Sequence, residues 1–215
     1  MSIRGLIFDL DGTLLDSMGA WDNIGDEYLV LKGIRDIPLT LKEALRPMSL
    51  LEAAEYFISD FGIPLSRERI MGEINLMIED KYRYQIEIKK GVREFLEKHS
   101  HLKMCIVTAS DRHLVEYALK RLEIDRYFSF IITVTETGMT KQSPEIFIKA
   151  AEKLGFPTHE VIVFEDALHA IKVAKQAGFY TVGVGEAVFE REREKIMEAA
   201  DWYVENLSEF EVDAG

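Results

Sequence analysis

Two hydrophobic patterns alternate in the C-terminal half of the chain. Short apolar runs typical of buried strands are followed by stretches in which apolar residues recur every three or four positions, as in helices. The apolar runs are Leu102–Val107, Phe130–Val134, Val161–Phe164 and Tyr180–Val184. The helix-like stretches are Leu114–Leu122, Pro144–Leu154 and Ala167–Ala177. Strands that alternate with helices predict an α/β fold, with a parallel sheet that has helices on both faces.

The N-terminal part departs from this alternation. After an apolar run at Ile3–Phe8, the next strand begins near Leu102, far beyond the reach of an ordinary crossover connection. The interval has helical periodicity at Trp21–Leu31, Leu50–Phe61 and Glu68–Tyr84. We therefore expect an all-helical domain at residues 17–87, inserted into a core domain of residues 1–16 and 88–215, where it could act as a lid.

Composition and charge exclude some classes of partner. Hydrophobic residues make up 47% of the chain and charged residues 30%, as in ordinary soluble globular proteins. The formal net charge of −12 argues against sequence-independent nucleic-acid binding, which requires a basic surface. No apolar stretch is long enough to cross a membrane. We expect neither a nucleic acid nor a membrane as partner.

The cysteine content and the N-terminus predict a location. Cys105 is the only cysteine, so an internal disulfide is impossible, and its apolar surroundings indicate a small buried side chain. The first strand begins within a few residues of Met1, which leaves no room for a signal peptide. These features predict a cytoplasmic protein.

The most informative residues stand where the first apolar run ends, at Asp9 and Asp11, followed by Gly12. Side chains two positions apart on a strand point to the same face, so the two carboxylates are expected to lie together. Two neighbouring carboxylates repel each other and resist ionising as a pair. Either a bound cation or a proton on one carboxylate relieves this conflict, and both solutions are used in catalysis.

Other polar side chains are expected at the same edge of the sheet. Thr108 and Ser110 follow the second strand, and Glu165 and Asp166 follow the fourth. Lys141 stands just before a predicted helix. Because ligands of open parallel sheets bind beyond the carboxyl ends of the strands, these residues predict one site.

The order of these motifs resembles that of the haloacid dehalogenase-like hydrolase superfamily, in the branch with a helical cap inserted after the first strand. The resemblance extends to phosphatases and β-phosphoglucomutase-type proteins, covers essentially the whole chain and implies a Rossmann-like core. Four motifs carry it: Asp9-Leu10-Asp11-Gly12-Thr13-Leu14, Val107-Thr108-Ala109-Ser110, Lys141 before Ser143-Pro144-Glu145, and Phe164-Glu165-Asp166.

The resemblance implies a catalytic role for each aspartate of the first motif. Asp9 would be the nucleophile that forms an aspartyl-phosphate. Asp11 would protonate the leaving oxygen and then accept a proton from the attacking water. Mg²⁺ would be the cofactor, bound by Asp9, by the main-chain carbonyl of Asp11 and by Asp166, with Glu165 bound directly or through water.

The resemblance also implies residues that bind the substrate. Thr108, Ala109 and Lys141 would bind the phosphoryl oxygens, on which negative charge spreads in the transition state. Arg46 occupies a loop that faces the active site in some relatives, which makes it a candidate for substrate binding.

Several other polar residues are expected to have structural roles. We interpret Ser110 and Asp111 as caps of the following helix, and Asp16 and Ser17 as a hinge and helix N-cap. His99 stands at a helix end, where an imidazole can meet free carbonyl groups. None of the histidines is assigned to a metal.

The leading hypothesis is a Mg²⁺-dependent phosphatase of a small phosphomonoester, such as a sugar phosphate, phosphoglycolate or a nucleotide. The partner would be that small phosphorylated metabolite, and the protein a monomer or weak homo-oligomer. One alternative is a β-phosphoglucomutase-type phosphotransferase, which returns the phosphoryl group to a second hydroxyl of the sugar. A second alternative is a catalytically silent binding or regulatory protein on the same fold.

Overall fold

The computed structural model describes residues 2–45, 48 and 50–212. The chain divides into two compact units: the sheet unit, made of residues 1–17 and 86–215, and the helical unit, Met18–Gln85. Arg46, the candidate for substrate binding, lies outside the described residues. Within the described part of the chain, no helix combines the length and the apolar character needed to cross a bilayer.

A six-stranded sheet forms the centre of the sheet unit in the described part of the chain. Its strands are β1 Gly5–Phe8, β2 Lys103–Thr108, β3 Phe128–Thr133, β4 Val161–Glu165, β5 Tyr180–Val184 and β6 Trp202–Val204. The strand order is β3-β2-β1-β4-β5-β6, and all neighbouring strands are parallel. This is the order of Rossmann-like sheets, so the predicted α/β fold is confirmed.

The helical unit is built from four helices within its described residues. They are α1 Met18–Leu31, α2 Leu41–Leu45, α3 Leu50–Phe61 and α4 Arg67–Tyr84. The longest helix, α4, buries Ile70, Ile74, Ile78 and Tyr82. The spacing of four places these side chains on one face, and burial of that face stabilises the helix. Ser66 caps α4, because its hydroxyl accepts a hydrogen bond from the main-chain N–H of Arg69 at 3.3 Å.

The remaining helices flank the sheet. They are α5 Val92–Lys98, α6 Arg112–Arg121, α7 Val134–Thr137, α8 Glu145–Leu154, α9 Leu168–Gln176 and α10 Arg193–Ala199. Three of them, α6, α8 and α9, coincide with the helix-like stretches of the sequence. The short elements α5 and β6 were not predicted, because three to seven residues are too few for a clear periodicity. The two boundary differences that bear on the site are at the ends of β2 and β4, since Thr108 and Glu165 end their strands instead of following them.

The central strand is buried on both faces, since all four residues of β1 are buried. Phe8 stacks on Phe164 of β4, with ring centroids 4.7 Å apart, and meets the ring edge of Phe95 on α5 at 6.1 Å. Burial of such aromatic side chains contributes strongly to stability. The packing therefore fixes the strand from which the first motif emerges.

Candidate active site

The carboxyl ends of β1, β2 and β4 lie level with one another. Phe8 is in register with Ile106 of β2 and with Phe164 of β4. The main-chain N–H of Asp9 continues the pairing by donating to the carbonyl of Phe164 at 2.9 Å. Hydrogen bonding to a neighbouring strand therefore holds the nucleophile candidate, Asp9, in place.

Three carboxylates from β1 and β4 form one cluster. The exposed fractions of Asp9, Glu165 and Asp166 are only 6%, 1% and 3%. Each offers one oxygen, and these oxygens all lie within 4.8 Å of one another. Such a group repels itself unless cations balance it.

Lys141 supplies one of these cations from the loop before α8. Its Nζ donates to the carboxylate of Asp9 and, at 2.7 Å, to Oε1 of Glu165. The second oxygen of Glu165 accepts from the main-chain N–H of Ala167 at 3.1 Å. The structure thus brings together Asp9, Glu165 and Asp166, as expected from their positions at strand ends, and joins to them Lys141 from the loop before α8.

The cluster changes the proton affinity of its members. Burial raises the pKa of Asp9 to about 7, with the negative charges of Glu165 and Asp11 adding to the effect and Lys141 opposing it. Burial also raises the pKa of Asp166, followed by the charges of Asp9 and Glu165. Burial alone would lower the pKa of Lys141, but the carboxylates of Asp9 and Glu165 outweigh it, and the pKa is raised.

A divalent cation fits this donor set. Oδ2 of Asp166 is buried and has no hydrogen-bond partner among the residues that the structure describes. An unpaired buried carboxylate oxygen is costly unless a cation binds it. Mg²⁺ prefers oxygen ligands, and Asp9, Glu165 and Asp166 provide them.

Asp11 has different neighbours from Asp9. Its Oδ1 accepts a hydrogen bond from the hydroxyl of Ser17 at 2.6 Å, and its Oδ2 accepts one from the hydroxyl of Ser110 at 2.6 Å. Both serines are buried. Ser17 directly precedes α1, the position expected of an N-cap, and its hydroxyl binds Asp11 in addition. The capping interpretation of Ser110 is corrected, because Asp111 holds the N-cap position and the Ser110 hydroxyl binds Asp11 instead.

The end of β2 contributes a tight turn. The main-chain N–H of Ser110 donates to the hydroxyl oxygen of Thr108 at 3.0 Å. Thr108 is buried, whereas Ala109 is exposed. Asp111 occupies the N-cap position of α6, but its side chain makes no capping bond and instead accepts from Thr135 at 2.6 Å. Its expected capping role is thus confirmed in position but not in its hydrogen bond.

The site combines the buried carboxylate of Asp9, the ammonium group of Lys141 and the carboxylate of Asp11, which accepts hydrogen bonds from two hydroxyls. Such a combination is suited to the transfer of an anionic group. A family profile described as haloacid dehalogenase-like hydrolase matches residues 6–184. The chain belongs to this family. The matched region contains all four motifs of the site, and the predicted resemblance is confirmed.

Individual relatives of this hydrolase carry more specific names. It is 28% identical over 222 residues to (DL)-glycerol-3-phosphatase 2 of Arabidopsis thaliana, covering 97% of this chain and 89% of the relative. It is also 28% identical over 198 residues to β-phosphoglucomutase of Bacillus subtilis, covering 86% and 84% of the two chains. These two relatives differ in the reaction for which they are named.

A solved structure shows the same fold. The hydrolase superimposes on a family IA, variant 3 haloacid dehalogenase-like hydrolase from Entamoeba histolytica with a TM-score of 0.80. The superposition covers 99% of this chain and 97% of the other, at 19% identity. At this identity, the similarity shows the fold alone.

Proposed function

We propose that the protein is a phosphatase that hydrolyses a small phosphomonoester through an aspartyl-phosphate on Asp9. The observation that carries this proposal is the different surroundings of two carboxylates in one motif. Asp9 faces an ammonium group inside a carboxylate cluster, whereas Asp11 rests on two hydroxyls. Neighbouring carboxylates with different environments are suited to different roles, as nucleophile and as proton donor.

The reaction would proceed in two displacements at phosphorus. A carboxylate oxygen of Asp9 forms a bond to phosphorus while the bond to the ester oxygen breaks, and Asp11 donates a proton to that oxygen. Water then attacks the phosphorus of the aspartyl-phosphate, Asp11 accepts the proton, and inorganic phosphate leaves with Asp9 restored. Asp11 must therefore enter the first step with a proton and the second without one.

The other residues would stabilise charge. Lys141 and Thr108 bind the phosphoryl oxygens together with the main chain at Ala109. Mg²⁺, held by Asp9, Asp166 and the main-chain carbonyl of Asp11, with Glu165 bound directly or through water, would offset the negative charge of the carboxylates and of the phosphoryl group.

The relatives support a small phosphorylated substrate. One is named for glycerol 3-phosphate, and another, the fructose-1-phosphate phosphatase YqaB of Escherichia coli, is named for a sugar phosphate. We therefore expect phosphate release from at least one member of a panel containing sugar phosphates, glycerol phosphate, phosphoglycolate and nucleotides.

The decisive test compares the wild type with Asp9→Asn on this panel, with and without Mg²⁺. We expect the wild type to release phosphate only with the metal and the variant to be inactive. Equally slow release by both proteins would refute the proposal and favour a silent binding protein.

Asp11→Asn tests the division of roles. We expect turnover to fall by roughly 10²- to 10⁴-fold, the usual contribution of a positioned general acid, while Mg²⁺ affinity is kept. Isothermal titration with Mg²⁺ checks the second part, and a loss of affinity would contradict the assignment of Asp11.

A mutase is the second candidate, because the Bacillus subtilis relative is named β-phosphoglucomutase. Incubation with a sugar 1-phosphate separates the two reactions. A phosphatase releases inorganic phosphate, whereas a mutase yields an isomerised sugar phosphate.

A further inference from the structure

A lysine outside the four motifs makes direct contact with the first one. Nζ of Lys89 donates to the main-chain carbonyls of Gly12 and Gly185, each at 2.6 Å, and to Oε2 of Glu186 at 2.8 Å. The side chains of Lys89 and Glu186 are only 15% and 7% exposed. An ammonium group has three N–H donors, and three acceptors surround this one.

The backbone also holds Lys89 beside the first motif. The main-chain N–H of Lys89 donates to the carbonyl of Leu14 at 2.9 Å, and Ile88 forms an antiparallel bridge with Leu15. The side chain of Lys89 therefore starts from a fixed position. Ordering the long side chain of Lys89 still costs rotamer entropy, and its three hydrogen bonds offset that cost.

The turn that Lys89 contacts is the one that carries Asp11. Gly12 has a φ of 88°, a conformation that glycine adopts without a steric penalty. The N–H of Gly12 donates to the carbonyl of Leu15 at 2.9 Å, and the N–H of Leu15 donates to the carbonyl of Leu10 at 2.9 Å. These bonds close the turn, and Lys89 binds the carbonyl of Gly12 within it.

We propose that Lys89 is a positioning residue that keeps Asp11 in place for proton transfer by tying the Gly12 carbonyl to the loop after β5. The proposal rests on the proposed function, in which Asp11 protonates the leaving oxygen. Lys89 itself touches no reacting atom. Its loss would release the Gly12 peptide and allow Asp11 to move, and misplacement by about 1 Å can lower a rate about a hundredfold.

The test uses two esters that differ in their need for a proton. An alkyl phosphate such as glycerol 3-phosphate has a poor leaving group that requires protonation, whereas p-nitrophenyl phosphate has a good leaving group that departs without it. We expect Lys89→Met to lower kcat/KM, which reports formation of the aspartyl-phosphate, by about tenfold or more for the alkyl ester and by less than about threefold for the aryl ester.

The ratio of the two kcat/KM values is the decisive quantity, because it excludes the second displacement, which both esters share, and does not depend on the fraction of folded enzyme. An equal loss on both esters, or no loss, would overturn the proposal. The double variant Lys89→Met with Glu186→Gln gives a second measurement in which no buried carboxylate is left without its cation. We expect it to show the same change of ratio.

Lys103→Met is the matched control. Lys103 is an exposed lysine at the start of β2, where its Nζ donates to the carbonyl of Leu154 at 3.1 Å. We expect its ratio to equal that of the wild type. Failure of the proposed function would look different, since the wild type would then release no phosphate from either ester or Asp9→Asn would match it.

Discussion

At the scale of single residues, the two aspartates of the first motif are distinguished by their hydrogen-bond donors. Asp9 contacts the ammonium group of Lys141, and Asp11 contacts the hydroxyls of Ser17 and Ser110. A hydroxyl can donate to an ionised carboxylate and can accept from a protonated one. The two serines are therefore suited to the role proposed for Asp11, in which it gains and loses a proton in each cycle.

Removing one of these hydroxyls tests their importance. We expect Ser17→Ala to lower kcat for an alkyl phosphate by about tenfold, since a hydrogen bond to a charged group contributes roughly 1.5–3 kcal/mol and water partly replaces it. Steady-state kinetics measures this effect. Ser59→Ala, which alters an exposed serine of the helical unit, is the control, and an unchanged kcat in Ser17→Ala would contradict the prediction.

His99 is a buried residue with a structural role at the end of α5. Its Nδ1 lies 2.9 Å from the carbonyl of Phe95, and its Nε2 accepts from the main-chain N–H of Val212 at 3.3 Å. The expected contact between this imidazole and a helix carbonyl is thus confirmed. Together the contacts require the neutral ring with its proton on Nδ1, because a protonated Nε2 cannot accept.

This arrangement predicts a pH dependence of stability. Burial lowers the pKa of His99 below its usual 6.5, with Lys98 and His101 adding to the effect and the Phe95 carbonyl and Glu211 opposing it. Below pH 6.5 the unfolded chain binds a proton that the folded chain resists, so the free energy of unfolding falls as the pH drops toward the lower folded pKa.

Urea unfolding between pH 5 and 7 measures this loss. We expect His99→Gln to have a shallower pH dependence than the wild type, because the titrating group is gone. His159→Gln, at an exposed histidine in the short turn Thr158–Glu160, should keep the wild-type slope. A steep slope in His99→Gln would assign the pH dependence to other groups.

At the scale of elements, the start of α5 depends on a close approach of two backbones. Gly91 is the N-cap of α5 and has a φ of 81°. A Cβ placed on it would lie 2.7 Å from the main-chain nitrogen of Ser208, in the short helical turn Leu207–Glu209. Only glycine fits, because the neighbour in this contact is backbone that cannot rotate away.

Gly91→Ala should therefore destabilise the protein more than an alanine substitution at a glycine where only the left-handed backbone conformation is unfavourable. Gly155 is the matched control, since its φ of 89° is equally left-handed and, among the described residues other than its chain neighbours, no heavy atom lies within 4 Å of the position that a Cβ would take there. We expect Gly155→Ala to cost about 1 kcal/mol and Gly91→Ala at least about 1 kcal/mol more. Equal losses in chemical denaturation would contradict the proposed clash.

At the scale of the whole molecule, an acidic protein gathers carboxylates where an anionic substrate is proposed to bind. The net charge of −12 repels such a substrate, so the cations of the site must provide the local attraction. Oδ2 of Asp166 is buried and has no hydrogen-bond partner within the described part of the chain, so a cation bound there would also stabilise the folded protein. A cation that binds only the folded chain shifts the folding equilibrium.

Thermal unfolding with EDTA or Mg²⁺ tests that link in the absence of any substrate. We expect Mg²⁺ at a hundredfold excess over its Kd to stabilise the wild type by about 2.7 kcal/mol. Asp166→Asn should lose this gain and unfold at a higher temperature than the wild type in EDTA, because it removes one of three crowded carboxylates. Asp36→Asn, at an exposed aspartate, should respond like the wild type.

Much of the fold was predictable because it depends on local patterns. Buried parallel strands need continuous apolar runs, and the helices between them need a stripe of apolar residues, so β1 to β5 and the larger helices were visible in the sequence. The three-residue strand β6 was not, because its first residue, Trp202, is exposed and its pattern is too short. Its place at the sheet edge depends on pairing with β5.

The sequence by itself determined which residues meet at the strand ends, because parallel strands bring their carboxyl ends to one edge. Asp9, Glu165 and Asp166 follow from that rule, whereas Lys141 was assigned from its place before the helix that begins after Pro144. Only the tertiary structure decided the partners of Asp11 and the place of Lys89. Their contacts with Ser110 and with Gly12 join residues 99 and 77 positions apart, and such pairings depend on side-chain directions that no local pattern specifies.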